Sequence, residues 1–339
     1  MNTEASASEP TPPAASMSFA SLSSWCRRLL KSPFLLPIGI IVILFVAGAA
    51  LSPNFASMQN IWSLLAVASL LAVASIGQTI VIVSGNQGID LSVGPVMTLG
   101  ALIAAGMCGS ANDNLPLAMV VIAAACIVVG VVNFIGVAIV GIYPLVMTLG
   151  MAFMLVGGAF AYARDHGPAV PPPLLLAIGG DKIGSVPWVV ITAAITGLIM
   201  SAVLRSSRFG QRLYLVGTNP RAARLSGIPV TQVYLKSYVL AALLSGFAGV
   251  LLFGFAGSAN LSVGDPYTLL SIAAAVIGGT ALTGGRGTVL GSYLGAIVFT
   301  VLSNLLIVLG MTTAVRQVVS GIVLIAILAV TARERDPWN

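Results

Sequence analysis

Charge is what this sequence has least of. Only 7% of its 339 residues are Asp, Glu, Lys or Arg, whereas a water-facing domain carries roughly 25% to solvate its surface. The shortage excludes an ordinary soluble domain. Metal ligands are as sparse. One histidine, His166, and three cysteines, Cys26, Cys108 and Cys126, without metal-like spacing give no basis for a zinc or other metal site, and the thiols read as buried and structural. No cluster of His, Asp and Glu suggests catalysis. None of the three lysines follows a glycine, so the Gly-Lys-Ser or Gly-Lys-Thr of a nucleotide-binding loop is missing too.

Apolar residues fill the space that charge leaves. They make up 58% of the chain, and mean hydropathy is +1.05. Such a surface has to face lipid, and the expected fold class is an all-α integral membrane protein forming one helical bundle. Residues 1–33 are set apart. Ser, Ala and Pro dominate as far as residue 24, too little apolar mass to offset chain entropy, so a disordered cytoplasmic tail is expected. Arg27, Arg28 and Lys31 precede the first apolar run at 34–51. That run reads as a span and not as a signal peptide, because the leading segment is too long and further apolar runs follow.

About ten transmembrane helices are predicted, near 34–51, 62–83, 95–109, 117–139, 144–162, 188–204, 236–255, 266–279, 289–309 and 316–331. A transmembrane domain over 34–331 then has halves at about 34–162 and 188–331, with a short cytoplasmic tail at 332–339. The net charge of +6 would raise nucleic acid as a partner in a soluble chain. In a membrane protein it sets orientation, since Lys and Arg gather in cytoplasmic loops. With both termini inside, twelve basic residues fall on the cytoplasmic side and three, Arg164, Lys182 and Arg316, outside. The nine acidic residues all lie in predicted tails, loops or helix starts. No carboxylate is therefore expected deep in the bilayer, where it would signal ion coupling.

LSVG occurs twice, at Leu91–Gly94 after Asp90 and at Leu261–Gly264 after Asn260. Each copy joins a long apolar run to a short one that opens on Pro95 or Pro266, with Thr98-Leu99 or Thr268-Leu269 following. The copies are 170 residues apart with five predicted helices between them, which places the first loop inside and the second outside. That pattern predicts two inverted-topology halves with short broken helices near a pseudo-two-fold axis, a transport architecture. Asp265 before Pro266 also suits simple helix capping. Gly88, Asp90, Ser92, Gly94, Asn260, Ser262 and Asp265 are thus candidates for a gate or path, as are the polar residues inside spans, Thr98, Asn133, Thr148 and Asn304. For those four, hydrogen bonds between packed helices are the alternative.

The cytoplasmic segment 205–235 carries five arginines and no carboxylate. Within it Asn219–Gly227 reads as a short capped helix stopped at Pro229, a lever for a peripheral partner. The glycines Gly278, Gly279, Gly284, Gly285 and Gly287 read as close packing around a tight turn in preference to a phosphate cradle.

Three strings, GIDLSVG at 88–94, VGTNPRAARLSGI at 216–228 and IGGTALTGGRGT at 277–288, resemble the permease subunits of binding-protein-dependent ABC importers, in the ribose and xylose branch. The resemblance spans about 34–331. It implies a multi-pass protein of the bacterial cytoplasmic (inner) membrane that moves a pentose or hexose. Its implied partners are a cytoplasmic ABC ATPase, a periplasmic or extracytoplasmic sugar-binding protein, and a second permease copy or a paralogue. No cofactor is expected on this chain, ATP and Mg belonging to the ATPase. By the same resemblance Asn219, Pro220, Arg221, Ala222, Ala223, Arg224 and Gly227 form the loop that docks on the ATPase. Arg221 departs from the acidic residue that often opens that motif. Asn86-Gln87 stands where a shorter Gly-Gly type turn is usual. A secondary active transporter of a small polar solute is the alternative reading.

Overall fold

The computed structural model describes residues 34–165 and 169–333. The expectations for the N-terminal tail, Cys26, His166 and the last residues from 334 onward fall outside them. The described chain is almost entirely helical, in order α1 (Leu35–Leu51), α2 (Met58–Val83), α3 (Val93–Cys108), α4 (Leu115–Phe134, continued by a wider π turn at Ile135–Val140), α5 (Pro144–Asp165), α6 (Pro173–Gly180), a hairpin of β1 (Lys182–Ile183) and β2 (Val186–Pro187), α7 (Trp188–Ser206), α8 (Arg208–Thr218), α9 (Pro220–Leu225), α10 (Val230–Ala256), α11 (Asp265–Ile277), α12 (Val289–Val308) and α13 (Thr313–Arg333). All ten predicted apolar segments are helical. Six of the helical runs are long and apolar enough to cross a bilayer; α1, α3, α11 and the described apolar part of α13 are shorter.

Two helices form the centre. Nearly all of the apolar stretch of α2 is buried, and most of that of α10. By contrast α4, α5 and α7 leave apolar side chains such as Val120, Phe153 and Leu198 uncovered, as lipid-facing helices do. With no hydrophobic drive between helices in lipid, close approach of small residues has to supply the contact. The α3–α10 seam shows this: a Cβ on Gly100 or Gly249 would run into the backbone of Gly246 or Met97 on the opposite helix.

An internal symmetry runs through the packing. Adding 170 to the residue numbers of α2, α3, α4 and α5 lands on α10, α11, α12 and α13. The contacts follow the same exchange: α2 packs on α12 as α10 packs on α4, α3 on α10 as α11 on α2, and α3 on α5 as α11 on α13. Outside this pattern lie α1 against α12 and α7 against α2.

Two sequence expectations need correction. The stretch 205–235 is not an open loop: α8 is a full helix, with Ser207 accepting the Gly210 amide at 3.1 Å as its cap. Its polar and apolar residues alternate at the helical period and Leu213, Val216 and Gly217 are buried, a one-sided pattern lost among the arginines. Nor is Asp90 at a solvated surface. After Val83 the chain reverses through Gly85, Asn86 and Gln87, all at positive φ (86°, 55° and 53°), and runs back beside α2. Oriented to satisfy both atoms, the Gln78 amide donates to Asp90 O at 3.0 Å and accepts from Asp90 N at 3.1 Å. Gln78 sits five residues before the end of α2, so Asp90 lies about 8 Å inside that end and is 2% exposed. The left-handed turn explains why glycines are usual there; asparagine tolerates it, and Gln87 costs about 1 kcal/mol.

Candidate functional site

Both LSVG motifs fold into the same local device. The Asp90 carboxylate accepts from Ser92 N at 2.8 Å and Ser92 Oγ at 2.6 Å. The Asn260 amide oxygen accepts from Ser262 N at 3.0 Å and Ser262 Oγ at 3.3 Å. Each such turn reverses the chain immediately before a short helix. The sequence expectation sets the two loops at opposite sides of the bilayer, and in the structure the two motifs are in contact with each other. The motifs meet at their glycines: Gly264 N donates to Thr98 Oγ1 at 3.0 Å, and a Cβ on Gly94 would stand 2.6 Å from Gly264 O. Thr98 faces Gly264, and Thr268 faces Gly94, so the 170-residue exchange holds at the crossing itself.

The surroundings of the two copies differ. Asp90 and Ser92 are buried, and Asn133 on α4 donates to Ser92 Oγ at 3.1 Å. Thr148 on α5 accepts from Leu91 N at 3.0 Å, its hydroxyl standing 2.9 Å from Pro144 O. The first copy is thus fixed by two outer helices and by Gln78. At the second copy Asn260, Ser262 and Asp265 are exposed, and the Thr98 bond is its polar tie to the first half. Removing that tie with Thr98→Val strands the Gly264 amide at a cost of about 1 kcal/mol. Purified protein should show a thermal midpoint lowered by about 2 °C, and an unchanged midpoint would show that the bond is not formed.

A second junction lies where α2 and α8 end and the glycine-rich turn begins. Gly285 N donates to Val83 O at 3.0 Å, and Tyr214 Oη donates to Gly287 O at 2.9 Å. Burial pushes the Tyr214 phenol above its ordinary range, with Arg205 offsetting part of the shift, so it remains a donor at neutral pH. A Cβ on Gly284 would stand 2.6 Å from Gly85 Cα and 2.8 Å from Gly217 O, and one on Gly217 would collide with Val83 O. Backbones in van der Waals contact leave glycine as the one residue that fits. Amides of the turn are used in closing it, Gly279 N to Val276 O, Gly284 N to Ala281 O and Ala281 N to Arg286 O, which favours the packing reading of Gly278, Gly279, Gly284, Gly285 and Gly287. Gly88 packs its backbone on Val81 O.

Beyond the junction α9 projects from the bundle. Asn219 caps it, accepting from Arg221 N at 3.1 Å and Ala222 N at 3.0 Å. Pro220 occupies the first position, and Gly227 closes it at φ 76° with Ile228 N bonded to Ala223 O. Ala223 is buried against the core, whereas Arg221, Ala222 and Arg224 are exposed and Leu225 is 90% exposed. An apolar side chain is thereby left at the surface between two guanidinium groups that have no carboxylate partner among the described residues.

Sequence reasoning named Asp90, Thr98, Asn133, Thr148, Asn260 and Asp265 but missed Gln78, Tyr214, Gly85 and Gly217. Gln78 carried a signal, being the one amide in the apolar stretch that follows Asn60 in α2. The two glycines carried none, since only their partners in space distinguish them from other glycines. Asn304 stands apart from the two junctions, on α12.

Residues 60–328 match the family described as branched-chain amino acid transport system / permease component. The chain is 35% identical over 302 residues to the ribose import permease protein of Bacillus subtilis, covering 87% of this chain and 91% of that one. It is 31% identical over 302 residues to the ribose import permease protein of Escherichia coli K12, covering 87% and 92%. With the galactose/methyl galactoside import permease protein of Haemophilus influenzae it shares 29% identity over 312 residues, 86% of this chain and 91% of the other. No solved structure matches the chain.

Proposed function

The chain belongs to the permease-component family of the branched-chain amino acid transport system, and from that membership we propose that it is the membrane-spanning subunit of an ABC importer. Its cargo on this reading is a monosaccharide, a pentose or hexose, carried inward across the bacterial inner membrane at the expense of ATP hydrolysed by a separate subunit. The observation that carries the cargo assignment is the end-to-end similarity to import permeases named for ribose and galactose. Family membership makes the chain a transport component and not a catalyst.

In this reading ten segments cross or enter the bilayer with both termini inside. Support comes from the six long apolar helices and four shorter ones, and from the position of Arg205, Arg208, Arg212, Arg221, Arg224 and Arg286 in segments at one end of successive helices. The 170-residue exchange and the meeting of the two motifs favour inverted halves around a pseudo-two-fold axis. A soluble sugar-binding protein delivers cargo outside, and a second permease copy or paralogue completes the pathway. Closure of two ATPase subunits on ATP and Mg pulls on α9. The glycine junction passes that pull from α8 to the ends of α2 and the turn before α12 as rigid-body movement.

Secondary active transport has one feature in its favour, the buried Asp90. Its carboxylate is engaged in the turn with Ser92, its own backbone is held by Gln78 and the residues on either side by Thr148, an arrangement suited to fixing a broken helix. Uptake of a sugar panel into proteoliposomes separates the two. Uptake that requires ATP, the neighbouring ATPase and the binding protein is expected. Uptake by this chain alone on a proton or sodium gradient, indifferent to ATP, would sink the importer reading.

A further inference from the structure

Between α2, α11, α12 and the end of α10 lies a cavity of about 410 Å³, within the range of small-ligand sites, roughly 300–1,000 Å³. Most of its wall is Leu, Val, Ile and Pro. The polar groups are concentrated: Thr300, Ser303 and Asn304 stand at i, i+3 and i+4 on α12 and so share one face, with Ser63 of α2 and the ring of Tyr267 also lining the space. Asn304 Oδ1 is out of solvent contact and has no hydrogen-bond partner. Of the other polar residues singled out inside spans, Thr98 is bonded to Gly264 and Thr148 to Leu91; Asn133 donates to Ser92 Oγ and likewise keeps an unpartnered Oδ1, but it stands at the first motif and not on this cavity. An unmatched amide in a membrane bundle costs free energy unless something visits it.

The chemistry of the wall selects the visitor. No Asp, Glu, Lys or Arg lines the cavity, so a zwitterion such as an amino acid would arrive with both charges uncompensated. A neutral polyhydroxylated ring finds an amide carbonyl, the Ser303 hydroxyl that can both donate and accept, the hydroxyl oxygens of Thr300 and Ser63 as acceptors, their protons going to Ala296 O and Gln59 O, and the rings of Tyr267 and Phe299 for its C–H surface. Val263 and Pro266 also line it. Both flank Gly264, so movement at the second motif changes the shape of the cavity.

We propose that this cavity is a resting site for one neutral monosaccharide in transit, with Asn304, Ser303 and Thr300 as its polar contacts, an inference that rests on the sugar-importer reading above. The full transporter, permease with its ATPase and binding protein, is tested in proteoliposomes. Asn304→Leu keeps the volume and removes the amide. Sugar uptake is expected to fall about tenfold, the loss of one or two buried hydrogen bonds to charge-free partners, while ATP hydrolysis stimulated by the binding protein stays within about twofold of wild type, a separation that a folding defect would not give. Ser303→Cys in a Cys26→Ser background supplies a second readout, since Cys108 and Cys126 are buried. A membrane-impermeant thiol reagent is expected to label it, with labelling slowed by the transported sugar and not by leucine. Wild-type uptake in Asn304→Leu, or labelling by a lipophilic maleimide alone, would overturn the site and leave the importer reading standing. Failure of the wild-type transporter to take up any sugar would instead remove the importer reading, and the site with it.

Discussion

Ala222→Glu is expected to abolish ATP-dependent uptake while the permease itself inserts and folds as the wild type does. The small side chain is exposed on α9 beside the protruding Leu225, so nothing inside the chain opposes a longer residue there. On the proposed reading the helix seats in the ATPase, and a glutamate carried into that contact loses its hydration against a partner surface read as acidic. Such a burial costs about 3 kcal/mol or more, roughly a hundredfold in affinity. The neighbouring residue is the control. Ala223 is 5% exposed and packs in the same core as Leu213, Val216 and Val233, so Ala223→Glu should lower the yield of folded permease as well as its activity. The measurement is co-purification of the ATPase with tagged permease, alongside uptake. An Ala222→Glu protein that still retains its ATPase and transports normally would remove α9 as the docking element.

The basic character of α9 bears on what it meets. Arg221 and Arg224 have no carboxylate partner among the described residues, and the stretch 182–264 contains none. A partner surface with acidic residues opposite them answers the departure at Arg221, where related motifs often carry an acidic residue. On the proposed reading a pull on α9 would act through α8, whose Gly217 is wedged between Val83 and Gly285. Glycine contacts of this kind transmit displacement because they have no side chain to rotate out of the way.

Much of the fold was legible because lipid imposes long apolar runs, and each of the ten runs became a helix. Asn219, Gly227 and Pro229 announced α9 because capping chemistry is local and depends on residue type. The depth of Asp90 was not legible. A polar loop between two apolar runs reads as a solvated connection, and only the pairing with Gln78, twelve residues earlier, draws it inward. The LSVG repeat gave the 170-residue exchange but not its geometry. Counting helices assigns the copies to opposite sides but says nothing of the contact between them, which rests on the Gly264–Thr98 bond across the two halves. The amphipathic face of α8 was present in Leu213 and Val216, and the density of arginine around it hid the period.

Gly264→Val is expected to lower the stability and the yield of folded protein more than any other single change at the motifs except its counterpart at Gly94. At the crossing of the motifs a Cβ on Gly264 would overlap Gly94 O and approach Thr98 Oγ1 at 2.8 Å. Neither neighbour can yield: the first is backbone fixed by the start of α3, and the second is the acceptor that holds the Gly264 amide. Accommodation therefore means separating α3 from α11, which breaks the Thr98 bond and opens the packing of both short helices on α2 and α10. A steric term of about 2 kcal/mol and a stranded amide of about 1 kcal/mol together remove much of a typical net stability. Gly94→Val should behave alike, since the collision is mutual. Gly39 on α1 has nothing within 4 Å of where its Cβ would stand, and Gly39→Ala should be neutral or stabilising by up to about 1 kcal/mol. Fluorescence-detected size-exclusion of detergent-solubilised variants separates these outcomes. If the Gly264→Val protein elutes as a sharp wild-type peak, the two motifs do not cross at their glycines, and the pseudo-two-fold axis has to pass elsewhere.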